Sequence, residues 1–280
     1  MLPFTHQQFV LVFSIYNGAL WPLQPAVHAI GFGMLALLLR PSRRHDRANL
    51  LVVAAMWIWT GIVYHIGFFS LINPAAVAFG ALFVVQGVLL LRVAMNGTVA
   101  FGTARGLRRA LGWTFLVYSL LLYPLLGLLS GAHYLDLPAF GVTPCPVTLT
   151  TVGVLLLTSP TPRHLFVVPV AWAFVGGSAA LLLRMPQDWP LLFAPIALAA
   201  VVIADHLGKR IRALPRAEAE SLADLPSVLS NRLSCSERRS RQMSGLHTID
   251  TGSHRRGRRG ALWLVAGLAA LAAPASAQGM

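Results

Sequence analysis

The fold is decided by residues 50–91, LLVVAAMWIWTGIVYHIGFFSLINPAAVAFGALFVVQGVLLL, which contain no Asp, Glu, Lys or Arg. A helix needs about 20 mostly apolar residues to cross the hydrocarbon core of a bilayer, because it rises ~1.5 Å per residue. The Asn73-Pro74 pair divides this stretch into two runs of about that length. The two runs predict a pair of transmembrane helices at residues 48–69 and 74–95.

The rest of the chain repeats this pattern. Of its 280 residues, 56% are hydrophobic and only 11% are charged, a composition that excludes an ordinary soluble protein. The apolar runs are longer than the ~10-residue strands of a membrane barrel, so they predict helices. We predict an all-α, polytopic transmembrane helix bundle of about seven spans, at residues 19–39, 48–69, 74–95, 110–131, 144–158, 164–183 and 189–206. The fifth run is short and begins in the proline-flanked string VTPCPVT.

The basic residues alternate between the predicted connections. Cytoplasmic loops of membrane proteins carry an excess of Lys and Arg. The connections after the first, third, fifth and seventh spans hold thirteen basic residues: Arg40, Arg43, Arg44, Arg47, Arg92, Arg105, Arg108, Arg109, Arg163, Lys209, Arg210, Arg212 and Arg216. The opposite connections hold only Arg184. We therefore predict that the N-terminus lies outside and that residues from 207 onward lie in the cytoplasm. The net charge of +13 reflects this topology and predicts no nucleic-acid partner.

Three segments flank the predicted seven-span membrane domain of residues 19–206. Residues 1–18 predict a short helix in the outer interface, or an extension of the first span. Residues 207–254 are rich in Ala, Glu, Ser and Arg and predict a disordered basic linker. Residues 255–280 follow the basic, apolar, small-residue order of a secretory signal. They are either the start of a neighbouring reading frame or an eighth span.

Several strings carry a resemblance to a known family. They are MLPFTHQQF (1–9), LRPSRRHDR (39–47), WIWTGIVYHIGFFSLINPAA (57–76), ALFVVQG (81–87), FGVTPCPVT (140–148) and GGSAALLLRMPQDW (176–189). In this order and spacing, the chain resembles a bacterial multi-spanning family, domain-of-unknown-function 6064, over residues 1 to about 205. The resemblance implies an integral bacterial inner-membrane protein with no established activity, some of whose relatives carry a permease label. It assigns no catalytic residues.

Polar side chains inside the predicted spans are candidates for a substrate path. Gln24, His28 and Gln86 stand within apolar runs, where each must find a partner or line a wet cavity. The alternative is a hydrogen bond to a neighbouring helix. The predicted spans one to six contain no Asp or Glu in their interiors, so we expect no acidic residue for proton coupling.

A second group is placed on the outer face by the predicted topology. His65, His133, Asp136 and Cys145 supply imidazoles, a carboxylate and a thiol, which together suit a divalent metal ion. Cys145 stands between two prolines at a helix entrance. The alternative is that Cys145 is simply a small buried residue in a kinked helix.

These features favour a permease for a small solute or metal ion. The breaks at Trp21-Pro22 and at Pro144-Cys145-Pro146 support it, because interrupted helices mark binding sites in transporters. A non-enzymatic scaffold or partner-binding subunit is the alternative, and a membrane enzyme comes last, since no P-loop, dinucleotide-binding or nucleophile-elbow motif is present. The expected partners are the lipid bilayer and, at the arginine strings 40–47 and 105–109, anionic lipid head groups.

Overall fold

The computed structural model describes residues 2–160 and 162–213, and its helices follow the predicted apolar runs. This part of the chain forms α1 His6–Ala19, α2 Leu23–Leu38, α3 Arg43–Trp59, α4 Ala76–Asn96, α5 Gly106–Val117, α6 Tyr123–Leu129, α7 Pro144–Leu157, α8 Val167–Leu182 and α9 Pro190–Ala213. Helix α3 continues through a π-helical segment, Thr60–Phe68, and a 3-10 turn, Phe69–Leu71. A second π-helical segment, Tyr118–Leu122, joins α5 to α6.

Three further 3-10 turns connect the helices, at Tyr134–Asp136, Arg163–Phe166 and Pro186–Asp188. No β-sheet forms between residues 2 and 213 outside the undescribed position 161, so the all-α prediction is confirmed. Helix α9 continues past residue 206 to Ala213. The predicted linker beyond residue 213 and the predicted signal or eighth span at 255–280 lie outside the described residues.

Five of the helical segments are long and apolar enough to cross a membrane. They are Arg43–Leu71, Ala76–Asn96, Gly106–Leu129, Arg163–Leu182 and Pro186–Ala204. Helices α1 and α2 together make a sixth, and they are bent by 87° at the predicted Trp21-Pro22 break. The remaining predicted span, the fifth, corresponds to α7, which is apolar but has only 14 residues. The chain is therefore a helical membrane protein, and its described residues contain five helices long enough to cross a membrane, or six if the bent pair is one span.

The connections between the helices gather at two opposite ends of the bundle. At one end, Ala100 and Ser159 exchange backbone hydrogen bonds of 2.9 and 2.8 Å, and the Asp46 carboxylate accepts from the Phe101 N–H at 3.4 Å. At the other end, the His6 ring bonds to the Leu183 carbonyl oxygen at 2.8 Å. This grouping matches the predicted alternation of arginine-rich and arginine-poor connections. The side of the membrane that each end faces stays a prediction.

Helix α7 forms the centre of the bundle. All 14 of its residues are buried, and it packs against α3, α5 and α8. At ~1.5 Å per residue it is about 21 Å long, shorter than the ~30 Å hydrocarbon core. Because other helices enclose it, its ends meet protein instead of lipid, and a short helix is tolerated there.

Glycines allow α7 and its neighbours to approach closely. A Cβ atom on Gly153 of α7 would lie 2.8 Å from the carbonyl oxygen of Gly112 on α5. A Cβ atom on Gly80 of α4 would lie 2.7 Å from the carbonyl oxygen of Gly61. Small residues at helix crossings strengthen van der Waals packing in membranes, where apolar burial alone drives little association.

Arg108 satisfies the carboxyl-terminal end of α7. Its Nε donates to the Leu156 carbonyl oxygen at 2.7 Å, and its guanidinium also donates to the Thr158 carbonyl oxygen. The last carbonyl groups of a helix lack partners within the helix and carry the negative end of its dipole. A half-buried arginine from α5 therefore stabilises a helix end that lies inside the bundle.

Replacing this arginine should destabilise the bundle. We expect Arg108→Gln to lower the free energy of unfolding by about 1–3 kcal/mol, because two buried carbonyl groups lose a charged donor. The measurement is thermal or denaturant unfolding of the purified protein in detergent. The matched control is Arg109→Gln, which removes the same charge from an exposed neighbour. Equal effects of the two substitutions would contradict the assigned role of Arg108.

Candidate functional site

A cavity of about 160 Å³ lies where α1, the π-helical segment of α3, α8 and the amino-terminal end of α7 meet. Its walls are mainly aromatic, with a few polar groups among them. Its aromatic and polar lining residues include Phe4, Phe9, Phe13, Tyr64, His65, Phe69, Phe79, Cys145, Trp172 and Asp188. Pockets of this kind, apolar with a small number of converging polar groups, are typical of ligand sites.

The π-helical segment places Tyr64 and His65 side by side in the cavity. Hydrogen bonds from residue i to i+5 widen the helical turn, so consecutive residues reach the interior together. Thr60 and Gly61 are buried one turn before Tyr64 and His65. Local π-helix is rare and occurs frequently at functional sites.

Four buried polar atoms around the cavity have no hydrogen-bond partner among the described residues. They are the Tyr64 hydroxyl, both ring nitrogens of His65 and the indole nitrogen of Trp172. The three side chains are 1%, 0% and 6% exposed, respectively. An unpartnered buried polar group costs about 1–3 kcal/mol, so four in one place indicate a function instead of an accident of packing.

Asp188 supplies a carboxylate to the same cavity and is only 3% exposed. The end of α8 directs it inward. Arg184 adopts a left-handed conformation with φ 54°, and the Met185 N–H donates to the Ala180 carbonyl oxygen at 2.9 Å. This is the Schellman arrangement, which reverses the chain at a helix end. The following 3-10 turn, Pro186–Asp188, then enters the bundle.

Two tyrosines next to the second π-helical segment fix this turn. The Tyr118 hydroxyl donates to the Gln187 carbonyl oxygen at 2.9 Å, and the Tyr123 hydroxyl donates to the Asp188 carboxylate. Both of these π-helical segments therefore contribute to the cavity. The first supplies its unpartnered groups, and the second positions its carboxylate.

Cys145 brings the amino-terminal end of α7 to the cavity. It is 8% exposed and lines the cavity together with Asp188. The Trp172 indole nitrogen is close to the sulfur but has no partner in hydrogen-bond geometry. Pro144 and Pro146 leave few free N–H groups at this helix start. The positive end of the α7 dipole thus lies at the cavity that Asp188 also lines.

Helix α1 forms one wall of the cavity. The rings of Phe13 and Tyr64 stack with centroids 5.5 Å apart, and Phe9 packs edge-on against Phe69. Asn17 fixes the far end of α1 by donating to the carbonyl oxygens of Leu135 and Leu137. The predicted helix of residues 1–18 therefore exists as α1, and it is packed onto the bundle. Its position relative to a membrane interface stays a prediction.

The four predicted metal ligands separate into two pairs. His65 and Cys145 line the cavity. Asp136 instead accepts a hydrogen bond from Ser14 at 2.5 Å, and exposed His133 accepts from the Leu135 N–H at 3.4 Å. Helix α1 lies between the pairs, because Phe13 lines the cavity and Ser14 contacts Asp136. Across residues 2–160 and 162–213 no three His, Cys, Asp or Glu side chains are close enough to hold a metal ion, so the predicted set is not assembled.

The three predicted path residues lie away from the cavity lining. Gln24 donates to the Asn17 carbonyl oxygen at 2.9 Å across the α1–α2 bend. His28 bonds to the Gln24 carbonyl oxygen at 2.9 Å, and Gln86 donates to the Leu165 carbonyl oxygen at 2.9 Å. Gln24 and Gln86 thus bond to other segments of the bundle, as the alternative explanation expects, whereas His28 bonds within its own helix. The side-chain oxygens of Gln24 and Gln86 nevertheless have no partner in the described chain.

The interiors of predicted spans one to six hold no Asp or Glu, yet the structure brings an acidic side chain, Asp188, into the bundle from outside those spans. It stands in a predicted connection between two spans, and only the reversal at Arg184 turns it inward. Trp172 was also missed, since a tryptophan in an apolar run gives no sign that its N–H lacks a partner. The string RMPQDW (184–189), with a charged residue inside a short apolar connection, is the one signal that points to Asp188.

The fold and the cavity define a helical membrane protein with an enclosed, aromatic, acidic pocket at one end. A family model described as a family of unknown function, DUF6064, matches residues 6–213. The chain belongs to this family, as the resemblance in its sequence strings indicates. No curated protein and no solved structure matches it.

Removing the unpartnered imidazole should stabilise the protein. We expect His65→Leu to raise the free energy of unfolding by about 1 kcal/mol, because two unpaired nitrogen atoms are replaced by an apolar group. Unfolding in detergent measures this change. Gln86→Leu is the matched control, since Gln86 is equally buried but donates a hydrogen bond, and we expect it to destabilise. A loss of stability for His65→Leu as large as that for Gln86→Leu would show that His65 is a structural residue.

Proposed function

We propose that this protein is a permease for a small solute and that the cavity beside α7 is the solute-binding site. The four buried polar atoms without protein partners around one cavity carry this proposal. A solute that pairs with them would recover the free energy that their burial costs. A residue set with only a structural role would pair its polar atoms within the protein, as Gln86 does through its amide nitrogen.

Interrupted helices around the cavity support transport. In many transporters, broken helices surround the substrate because their free backbone ends and local flexibility serve binding and gating. Here α3 contains a π-helical segment that lines the cavity, and α7 is short and starts at the cavity. Helix α1, which also lines it, meets α2 at an 87° bend away from the lining. A scaffold with only a structural role has no need of such interruptions.

Further unpartnered atoms continue from the cavity into the bundle. Thr60 Oγ1, Gln86 Oε1 and the side-chain amide of Asn49 are buried and lack partners in the described chain. Asn49 lies on α3 toward the arginine-rich end, whereas His65 lies toward the opposite end. Polar atoms spread along the bundle in this way support a route for a polar solute.

A metal ion has less support as the solute. The residue types that bind divalent metals do not come together in groups of three within the described residues. Seven of the lining side chains are Phe, Tyr or Trp, which are not among the residue types that bind divalent metals. We therefore propose an organic solute, and a binding and transport role instead of catalysis.

We also propose that the protein lies in the bacterial inner membrane with its arginine-rich end in the cytoplasm. The excess of arginine at that end supports this orientation. Arg40, Arg43 and Arg44 are exposed there, and each would contribute about 1 kcal/mol of attraction to anionic lipid head groups.

Thiol labelling tests whether the cavity is open to solutes. Replacing Cys235 by Ser leaves Cys145 as the only cysteine. Two membrane-impermeant reagents are used, the cationic (trimethylammonio)ethyl and the anionic sulfonatoethyl methanethiosulfonate. The thiolate attacks the reagent, a mixed disulfide forms and methanesulfinate leaves. We expect at least one reagent to modify Cys145 in intact cells and also, since a permease opens to both sides, in inverted vesicles.

The control is Val154→Cys in a protein that lacks both native cysteines. Val154 is 0% exposed and lines none of the described cavities, so it should not react. Modification of Cys145 from one side only would contradict permeation and would indicate a binding pocket that opens to that side alone. Absence of modification from both sides would overturn the proposed function.

A further inference from the structure

The cavity has walls suited to an organic cation. The ring centroids of His65 and Trp172, which both line the cavity, lie 5.0 Å apart. Phe79 packs on the same tryptophan at 5.5 Å. The faces of aromatic rings attract cations, and cages of aromatic rings are the usual binding sites for quaternary ammonium groups.

The charge of the cavity also favours a cation. Asp188 is its one acidic lining residue, and no Lys or Arg lines it within the described part of the chain. A neutral donor, the Tyr123 hydroxyl, hydrogen-bonds to the carboxylate. A buried carboxylate without a cationic partner is costly, and a bound cation would supply that partner. An anionic ligand would meet the carboxylate and the ring faces with repulsion on both counts.

The unpartnered atoms add a requirement for an oxygen atom on the ligand. The Trp172 N–H can only donate, while the Tyr64 hydroxyl and neutral His65 each donate and accept. A hydroxyl group on the ligand can accept from the first and exchange hydrogen bonds with the other two. A simple alkylammonium ion would satisfy Asp188 and leave these groups unpaired.

The volume limits the size of the ligand. The cavity measures about 160 Å³. An engineered protein cavity of about 150 Å³ holds one benzene molecule. The ligand therefore has on the order of six or seven non-hydrogen atoms by the same comparison.

On the basis of the proposed function, we infer that the solute is a small amino alcohol of about the size of choline. Its ammonium group lies between the Asp188 carboxylate and the aromatic rings of Phe79 and Trp172. Its hydroxyl group lies toward Tyr64 and His65. Asp188, Trp172 and His65 thus determine the charge and polarity of the solute that this protein accepts.

The relative rates of the two thiol reagents test the charge preference. Free cysteine sets the reference ratio of cationic to anionic reaction rates in the same buffer. We expect Cys145 in the otherwise native protein to exceed this ratio by about tenfold or more, because an acidic cleft concentrates cations. Asp188→Asn should return the ratio to the reference value. A change in the reactivity of the Cys145 thiol alters the rates of both reagents equally, so the ratio of cationic to anionic rates stays the same.

The outcomes of this experiment separate the two proposals. A ratio of cationic to anionic reaction rates equal to or below the reference would overturn the inference that the solute is an organic cation. The cavity would still be accessible to solutes. Reaction with neither reagent overturns the proposed function itself. Because the first comparison uses no substitution in the cavity, it holds even if the Asp188 variant fails to fold.

A binding experiment tests the ligand class directly. Choline is compared with its uncharged tert-butyl analogue by the shift that each causes in the Tm of the detergent-solubilised protein. We expect choline to bind at least about tenfold more tightly, since only the charged ligand gains from Asp188 and the ring faces. Choline should lose this advantage in Asp188→Asn, while the control Asp136→Asn, at a carboxylate outside the cavity lining, should keep it. Equal binding of the two ligands to the native protein would overturn the inference.

Discussion

The constraint on which this structure depends is the enclosure of α7 within a membrane bundle. A helix that touches no lipid needs no apolar surface of full membrane thickness, but both of its ends must find partners inside the protein. Arg108 supplies those partners at the carboxyl-terminal end. At the other end two prolines remove backbone donors, and the positive end of the helix dipole lies at the cavity that Asp188 lines.

The packing around α7 differs between its two ends. Gly112 and Gly153 bring α5 and α7 into backbone contact toward the arginine-rich end. Toward the opposite end, Trp172, Tyr64 and His65 have large planar side chains that pack edge to face and leave a gap between them. Helix α1 closes that gap from outside the ring of spans, so the helix at the start of the chain completes the site.

Much of the fold could be predicted from the sequence because crossing a bilayer is a constraint on single segments. Length and hydropathy placed the spans, and the alternation of arginines grouped their connections. The enclosure of α7, the inward turn at Asp188 and the packing of α1 could not be predicted, since each depends on contacts between distant segments. The sequence grouped His65 and Cys145 in one site, and both line the cavity. His133 and Asp136, which the predicted topology placed on the same face, instead lie in the loop after α6, where Asp136 contacts α1.

Labelling from the lipid phase tests whether other helices shield α7 from lipid. The native protein is reconstituted in bilayers that contain a phospholipid with a photoactivatable diazirine on its acyl chain, and labelled peptides are identified by mass spectrometry. Helix α8 exposes Phe174 and Leu182 by 65% and 68% and should be labelled, whereas all 14 residues of α7 are buried and should remain unlabelled. Label on residues 144–157 at the level found on α8 would show that α7 is an ordinary lipid-facing span, and the account of the cavity at its end would be lost.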